Sequence, residues 1–495
     1  MSSSASTPPS SFSSRLCAAK KLYSDGNPKA AAAAFEELLS EAANGEEEDD
    51  SSNSEAAADR GGRPSRKVAD LHLSLAKCHK SMDDVRSAVA SCNAAVSLGP
   101  KWKDPFLYRS ACFQALHQAF VETDGDSEDN VERDRTEANI IVDPEERASP
   151  PKGSEGKTRV ASVDEALQAS KEGDRIFVEK GEYYVSSSPL FICGKSVSII
   201  GASTRDCVFN YTSPGSDASP SSALASRLNT FLICAGEEVP VLLKRLTFRN
   251  VCLQGAQSST KTRFLGVAGG TVQVEDCVFE GADNGEETAA AADVDAIYAN
   301  AKIAGALAAN YAPPRVHARF CVFDHCQSYA AFTVNNASAV AESCYFVGSR
   351  LSAMENSRVT VENCEFAQSG SGERTMVQSI GASRAEIEVR GCYIHGIQTR
   401  DVKCSMLIFL FFGGSLSHVR IICLVVQFTI IHIYTSTNLT CNPQSRRRRI
   451  EGSEHAGHLH HHRIQRQYIW ELHLPDGERR RLSRLRPEVL AESHH

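Results

Sequence analysis

Residues 162–203, SVDEALQASKEGDRIFVEKGEYYVSSSPLFICGKSVSIIGAS, decide the fold. Their first apolar residues, Val163, Ala166 and Leu167, recur at the three- and four-residue spacing of one helix face. A Gly-Asp turn follows, and the apolar runs RIFV and VSIIG then predict two strands, the first of which ends at Gly181. A short helix, a tight turn and the first strands of a sheet are therefore expected here.

The sequence that follows repeats one pattern: alternating apolar residues, then Cys-x-Phe or a close variant, then a polar turn. The copies are VLLKRLTFRNV (241–251), TVQVEDCVFEGA (271–282), RVHARFCVFDHC (315–326), SAVAESCYFVGS (338–349), RVTVENCEFAQS (358–369) and AEIEVRGCYIHG (385–396). Their register positions are Leu246, Cys277, Cys321, Cys344, Cys364 and Cys392. Successive positions lie about 20 to about 45 residues apart, and the longest gap is interpreted as two coils of about 22 residues.

The repeated Cys and Phe predict an interior ladder, because Cys buries readily and behaves as a small hydrophobic residue. This interpretation is preferred to a metal or redox role for the register cysteines. Asn336, Asn356 and Asn363 follow strands at predicted corners, where Asn side chains stabilise turns.

A helix, a Gly-Asp turn and stacked strands resemble the start of a right-handed parallel β-helix of the pectin-lyase-like superfamily, with its carbohydrate-binding and sugar-hydrolase (CASH) repeats. The resemblance implies a fold and does not by itself imply an activity. Intracellular relatives of this type, such as some F-box proteins and the SHC SH2-domain-binding protein, use the β-helix to dock substrates or partners. No F-box pattern is present in this chain.

The predicted organisation is a multidomain α + β chain, a short α-solenoid followed by the β-helix. Its segments are a disordered tail (1–12), helical repeats (13–120) with an acidic loop (44–65), an acidic linker (121–157), the β-helix (158–400) and an atypical tail (404–495).

The helical part resembles tetratricopeptide repeats. Its middle repeat carries small and packing residues at the family spacing, namely Leu75, Ala76, His79, Ala88, Cys92, Ala95 and Pro100. The resemblance implies a peptide groove, and Leu73, Lys77 and Arg109 are the predicted binding residues. Ser74 and Pro105 stand where a carboxylate clamp would place Asn and Lys, so binding of a C-terminal carboxylate is not expected.

Paired carboxylates are what a carbohydrate-cleaving β-helix would need for acid and base catalysis. The candidates in this sequence are Asp293 with Asp295, and Asp324 beside His325. The preferred interpretation of each is a polar residue of a solvated loop or turn. A polysaccharide lyase or hydrolase therefore remains an alternative to a non-catalytic protein.

The composition of the whole chain limits which cellular compartments and which classes of partner are expected. The chain has 495 residues, a net charge of -8 and 17 cysteines, and no apolar signal region follows Met1. These features predict a reducing, cytoplasmic environment and no nucleic-acid partner, and no cofactor is predicted. The basic run Arg446–Arg449 leaves a nuclear location open, and the His458–His462 cluster lacks the Cys or carboxylate partners of a metal site.

The composition changes abruptly after Lys403. Residues 404–435 contain two apolar runs separated by His418 and Arg420, and no Lys follows Lys403. Three interpretations stay open: a gene-model artefact, additional strands, or membrane anchorage.

The sequence favours a non-catalytic intracellular scaffold or adaptor that binds protein partners through the helical repeats and one β-helix face. The alternatives are a carbohydrate-active or carbohydrate-binding β-helix protein, and a ubiquitin-ligase substrate adaptor.

Overall fold

The computed structural model describes residues 11–45, 63–99, 102–122, 128–144, 157–185, 189–212, 229–235, 239–251, 262–281, 294–303, 311–326, 331–367, 380–395 and 419–422. Residues 1–10 of the predicted disordered tail, most of the acidic loop and nearly all of the atypical tail lie outside these residues.

The N-terminal region is helical, as predicted. The described helices are α1 (Phe12–Ser24), α2 (Pro28–Gly45), α3 (Arg63–Ser81), α4 (Val85–Leu98), α5 (Lys103–Glu122), α6 (Glu128–Glu137) and α7 (Val163–Ala169). Each helix from α1 to α5 packs on the next. Ala76, Ala88, Cys92 and Ala95 are fully buried, because small side chains let α3, α4 and α5 approach closely.

Twenty-six strands follow in the described chain. The first thirteen are β1 (Ile140–Val142), β2 (Thr158–Val160), β3 (Arg175–Val178), β4 (Gly181–Val185), β5 (Leu190–Cys193), β6 (Ser198–Gly201), β7 (Cys207–Thr212), β8 (Asn229–Cys234), β9 (Val241–Lys244), β10 (Thr247–Val251), β11 (Thr262–Gly269), β12 (Thr271–Glu275) and β13 (Val278–Glu280). The others are β14 (Val294–Asn300), β15 (Arg315–Arg319), β16 (Val322–Asp324), β17 (Phe332–Asn335), β18 (Ser338–Glu342), β19 (Tyr345–Val347), β20 (Leu351–Met354), β21 (Arg358–Glu362), β22 (Glu365–Ala367), β23 (Ile380–Ser383), β24 (Glu386–Arg390), β25 (Tyr393–His395) and β26 (Val419–Ile422).

The strands form three long sheets. Sheet A has the order β2-β1-β3-β6-β9-β12-β15-β18-β21-β24-β26, sheet B runs from β4 to β25, and sheet C runs from β5 to β23. From β3 onward each coil gives one strand to sheet A, one to sheet B and one to sheet C, and successive coils pair in parallel. The predicted fold class, a helical region followed by a right-handed parallel β-helix, is confirmed.

The stretch that decides the fold has the predicted structure. Helix α7 buries Val163, Ala166 and Leu167. The Ser162 hydroxyl accepts from the Glu165 amide at 3.2 Å, and the Glu165 carboxylate accepts from the Ala161 amide at 3.1 Å. This reciprocal cap fixes the start of α7, and strand β3 follows where the RIFV run predicts it.

The interior ladder is also confirmed. The register residues from Leu246 to Cys364 are fully buried, and the Cys344 thiol donates to the Ala318 carbonyl oxygen of the preceding coil at 3.4 Å. Beside them, Phe279, Phe323, Phe346 and Phe366 stack with ring centroids 4.5–5.1 Å apart. Burial raises the pKa of the Cys344 thiol well above its usual value, so the ladder thiol stays protonated.

The interpretation of the longest gap is wrong. Val278 pairs directly with Val322, so Cys277 and Cys321 lie on adjacent coils. The extra residues of this coil lie in the segments before and after β14, parts of which (282–293 and 304–310) are outside the described residues. Cys207 occupies the same register toward the N-terminal end of the β-helix, where the sequence is also Cys-Val-Phe.

The segment 121–157 is more than a linker, which corrects the domain prediction. It contains α6 and β1, and β1 pairs between β2 and β3. Asp134 of α6 accepts from the buried Arg245 guanidinium at 2.6 Å and from Arg175 at 2.9 Å. The acidic composition predicted a solvated linker, because the sequence does not reveal that the charge of Asp134 is paired inside the fold.

One corner of each of the six coils from Leu246 to Cys392 has a left-handed residue. We call this set the corner row: Arg245, Asp276, Phe320, Ser343, Asn363 and Gly391, each directly before a register position, with φ between 51° and 58°. This conformation costs a non-glycine residue about 1 kcal/mol or more, so neighbouring contacts must hold it. The corner row lies between sheets A and B.

Candidate functional site

The predicted peptide groove is not one open surface. Leu73 and Lys77 lie on α3, where Leu73 is half-buried and the Lys77 ammonium lies 5.9 Å from the centre of the Tyr108 ring. Arg109 on α5 is 0% exposed. Arg109 is therefore unavailable to an external peptide, and its predicted binding role is wrong; Leu73 and Lys77 remain predictions.

Helix α5 lies along the outer face of sheet B and contacts one coil per helical turn. The contacts in order are Phe106 to Tyr393 (ring centroids 5.9 Å), Ser110 to Glu365 (2.6 Å), Phe113 to Tyr345 (ring centroids 5.7 Å) and His117 to Asp324 (3.2 Å). A helical turn rises about 5.4 Å and neighbouring strands are about 4.8 Å apart. The two repeats match closely enough for α5 to run along the β-helix axis.

Helix α4 follows the corner row in the opposite direction. Arg86 binds Asp276 at 2.7 Å, and the Asn93 amide donates to the Ser343 hydroxyl at 2.9 Å. The seven-residue step along α4 rises about 10.5 Å, and the two coils it crosses span about 9.6 Å. The corner row thus sets the position of α4 on the β-helix.

Apolar side chains fill the space between these polar contacts. We call the whole surface the docking interface; its buried apolar members are Ala76, Ala88, Val89, Cys92, Cys112, Phe113, Leu116 and Phe120 from the helices, with Val278, Val322, Tyr345 and Ala367 from sheet B. Valine, tyrosine and alanine at outward positions of these strands are the sequence signal that sheet B is covered.

Arg109 is the main polar link of the docking interface. Its guanidinium donates to the Gly391 carbonyl oxygen at 2.6 Å and to the Asn93 Oδ1 at 3.1 Å, and lies 5.2 Å from the centre of the Phe106 ring. Burial lowers the pKa of Arg109, and the nearby Glu365 counteracts this effect. One side chain thus ties α5, α4 and the last described coil together.

Asp324 is an internal ion-pair partner. It lies between His117 of α5, at 3.2 Å, and the adjacent His325. Burial acts to raise the pKa of Asp324, but hydrogen bonds from His117 and His325 outweigh burial and hold this pKa well below its usual value. The carboxylate therefore stays ionised, which suits a fixed anion rather than a general acid.

A second carboxylate in the docking interface was not predicted. Glu365 is 0% exposed and accepts from the Ser110 hydroxyl at 2.6 Å, and His395 lies at 2.8 Å. The only signal in the sequence is that a Glu replaces the apolar residue found at this outward position in the preceding repeats.

Asp295 lies on strand β14 of sheet C. It is 3% exposed and faces Arg263 at 3.4 Å, and the Arg263 guanidinium stacks on the Tyr298 ring at 3.6 Å. Asp293 lies outside the described residues. Asp295 and Asp324 thus do not form the exposed pair of carboxylates that glycoside hydrolysis needs.

The outer face of sheet A carries many charged side chains on strands β9 to β24. We call it the charged face; its basic residues are Lys244, Arg315, Arg319, Arg358 and Arg390, and its acidic residues are Glu275, Glu342, Glu362, Glu386 and Glu388. Cross-strand pairs include Arg319 with Glu342 at 3.4 Å and Arg358 with Glu386 at 3.2 Å. These ten side chains comprise five acids and five bases, so together they carry no net charge.

Of the segment 404–435, the structure describes only β26, which pairs antiparallel with β24. These four residues agree with the interpretation as additional strands. No helix in the described part of the chain is long and apolar enough to cross a membrane. Within the same part, no group of three or more His, Cys, Asp or Glu side chains could hold a metal ion; the His458–His462 cluster lies outside it.

Comparison with known proteins gives one structural likeness. No protein-family profile and no curated protein matches the chain. Among solved structures, a pectin methylesterase mutant in complex with a hexasaccharide is similar at a TM-score of 0.30 and 16% identity. The match covers 50% of this chain and 70% of that chain. The fold assignment rests on the strand register described above.

Proposed function

We propose that this protein is a non-catalytic scaffold that binds a protein partner on the charged face, with the helical repeats and the β-helix acting as one rigid platform. The observation that supports the proposal is that both described candidate carboxylates are engaged by other side chains of the fold. Asp324 is bound by His117 beneath α5, and Asp295 is buried beside Arg263. Groups already engaged in this way stabilise the fold and are poorly placed to exchange protons with a substrate.

The charge balance of the charged face favours a protein over an acidic polysaccharide. A polyanion is attracted by a surface of net positive charge. Here several neighbouring strands, about 4.8 Å apart, place opposite charges side by side, as in Lys244 with Glu275 and Arg319 with Glu342, whereas Glu342 with Glu362 is a like-charged pair. A folded partner with the complementary pattern would meet each charge with its opposite, and such patterns give specificity and rapid association.

The helical region adds a second surface to the proposed scaffold. We infer that α1 to α5 are a short tetratricopeptide-like array, because successive helices pack through buried alanines. The docking interface occupies α4 and α5, which leaves Lys77 of α3 exposed. A cytoplasmic substrate adaptor for ubiquitin ligation is one role such a platform would serve.

The test compares capture by three forms of the full chain in lysate of the source cells. The wild type, an Arg319→Glu/Arg358→Glu double variant and an Arg133→Glu control would each be used, because Arg133 is exposed on α6. We expect one partner to be lost about tenfold or more with the double variant and kept with the control, and its binding to weaken with salt.

Equal capture by the double variant and the wild type would refute the role of the charged face. A catalytic role has its own readout. The purified full chain would be incubated with methyl-esterified polygalacturonate, and release of methanol or reducing ends would be measured. Turnover that Asp324→Asn abolishes while the fold is kept would overturn the non-catalytic proposal.

A carbohydrate-binding role is the second candidate, favoured by the exposed Tyr184 and Glu182 beside the buried Asn210 on the N-terminal strands of sheet B. Tyr184 is 67% exposed and its hydroxyl donates to Glu182 at 2.7 Å. The Asn210 amide donates to the same carboxylate at 3.2 Å. An aromatic ring beside amide and carboxylate groups is suited to a sugar ring, and loss of glycan binding in Tyr184→Ala would identify this role.

A further inference from the structure

Two cysteines end neighbouring strands on sheet C. Cys193 is the last residue of β5 and Cys234 the last of β8, and the two are direct partners in the parallel register. The Gly194 amide donates to the Cys234 carbonyl oxygen at 3.1 Å, which holds this end of the pair in register. Neighbouring strands lie about 4.8 Å apart, which is inside the range of Cα separations that a disulfide spans.

The two thiols differ in access. Cys193 is exposed, whereas Cys234 is 1% exposed. The side chain of Tyr311 lies against Gly194 and Gly269, beside this end of the two strands. Its hydroxyl lies 3.6 Å from the position of a Cβ on Gly194, and its Cβ lies 2.6 Å from that of a Cβ on Gly269. These glycines belong to the coils on either side of Cys234, so the tyrosine ring crosses the coil between them.

The electrostatic environment of the pair also makes Cys193 rather than Cys234 the attacking thiol. A hydrogen bond from the Cys234 thiol lowers the pKa of Cys193 to about 7, against the opposing effect of burial. The same hydrogen bond, together with burial, raises the pKa of Cys234. Cys193 is thus the exposed, partly ionised nucleophile and Cys234 its protonated neighbour, which is the arrangement of an attacking and a resolving thiol.

Other cysteines of the described chain lack this combination. Cys344 and Cys364 are also neighbours in register, but both are fully buried in the interior ladder. Cys92 and Cys112 contact each other across α4 and α5, and both are fully buried in the docking interface. Cys17 is exposed on α1, but a resolving neighbour is what defines the pair on sheet C.

We propose that Cys193 and Cys234 are a reversible dithiol–disulfide site whose co-reactant is a low-molecular-weight disulfide such as glutathione disulfide. The Cys193 thiolate attacks one sulfur of glutathione disulfide, forms a mixed disulfide and releases one glutathione. Cys234 then attacks the Cys193 sulfur, closes the protein disulfide and releases the second glutathione. Two protein thiols are oxidised, one glutathione disulfide is reduced, and both protons end on the released glutathione.

The closed bond is readily reduced. In bridged cysteines the Cβ atoms lie about 3.8 Å apart, so two parallel strands must approach slightly for the bond to close. Strained and exposed disulfides are the labile and regulatory ones. Reduced glutathione in excess therefore reopens the site.

The test treats the full chain with glutathione disulfide, blocks remaining thiols with iodoacetamide, and identifies linked peptides by mass spectrometry. The reduced wild type is expected to become lighter by two hydrogen atoms, with the peptides of Cys193 and Cys234 linked. In Cys234→Ser the reaction stops at one glutathione on Cys193, and in Cys193→Ser Cys234 stays reduced. Cys17→Ser is the control and still forms the link.

The glutathione adduct on Cys193 in Cys234→Ser distinguishes attack by Cys193 followed by Cys234 from random oxidation of the two thiols. A stable glutathione on Cys193 of the wild type, with Cys234 alkylated after unfolding, would overturn the proposal. So would a link from Cys193 to any other cysteine. Cys234→Ala serves in place of the serine variant if the buried hydroxyl disturbs the fold, and thermal melting of each variant confirms that the β-helix is intact.

Discussion

Replacing Arg109 by methionine should loosen α4 and α5 from sheet B. Methionine keeps much of the side-chain length and packing but removes the donors to the Gly391 carbonyl oxygen and the Asn93 Oδ1. A buried acceptor that loses its donor costs about 1–3 kcal/mol. The variant also avoids burying a charge, which offsets part of this loss.

The substitution should lower the free energy of undocking by about 3 kcal/mol, which is close to a 100-fold decrease in the ratio of docked to undocked forms. Hydrogen exchange measures this ratio directly, because amides of α5 that exchange through undocking lose protection by the same factor. Amides of β3 and β6, which lie far along the β-helix from Gly391, should keep the protection of the wild type.

Two matched variants sharpen the test. Arg133→Met changes an exposed arginine on α6 and should alter protection by less than about threefold. Arg109→Lys keeps the charge but cannot reach both acceptors in the same planar geometry, so its loss should fall between those of the other two. Wild-type protection of α5 in Arg109→Met would refute the idea that this side chain holds the helices on the β-helix.

Two further predictions test the core and the ion pairs. Phe323→Ala removes a ring stacked on both neighbouring coils and should lower the free energy of unfolding by about 3–5 kcal/mol. Phe191→Ala, at an exposed position, should lower it by less than about 0.5 kcal/mol. Denaturant titration compares the two variants, and similar losses would contradict the ladder. Because the folded pKa of Asp324 is depressed, its contribution is complete above the usual carboxyl pKa near 3.8 and is lost as pH falls through the lower folded pKa. Asp324→Asn should therefore lower the melting temperature at neutral pH and flatten its decline between about pH 5 and pH 2, and a melting curve that keeps the wild-type acid slope would show that Asp324 is not the group responsible.

The β-helix could be predicted from the sequence because its signals are local and repeated. Ser162 and Glu165 cap α7 through groups only three residues apart, and the Cys-x-Phe unit returns in nearly every coil. Stacking places like residues on like residues, so one recognised repeat predicts the interior of its neighbours. The error at the gap between Cys277 and Cys321 came from assuming a constant coil length, whereas corners accept insertions without disturbing the ladder.

The candidate site could not be predicted in the same way, because it depends on contacts between distant residues. Arg109 and Gly391 are 282 residues apart in sequence and 2.6 Å apart in space. A tetratricopeptide pattern assigns Arg109 to a groove, since nothing local to α5 reveals that a β-helix covers it. The available sequence signal lay in the β-helix and not in α5. Asp276, Ser343 and Asn363 precede register cysteines, at a corner where a polar side chain needs a partner.

The agreement between helix and coil repeats explains why the two solenoids form one body and why their contact has a limited length. From Phe106 to His117, α5 rises about 16.5 Å, while the three coils it crosses span about 14.4 Å. The difference grows with each turn, so a straight helix stays in register with sheet B for only a few coils before its side chains fall between strands. Polar pairs such as Ser110 with Glu365 and His117 with Asp324 select which coils are used, because a shift by one coil would leave each of these charges without its partner. The docking interface therefore fixes position as well as attachment, and this is what a platform needs if it is to hold a partner across the charged face and the helical repeats together.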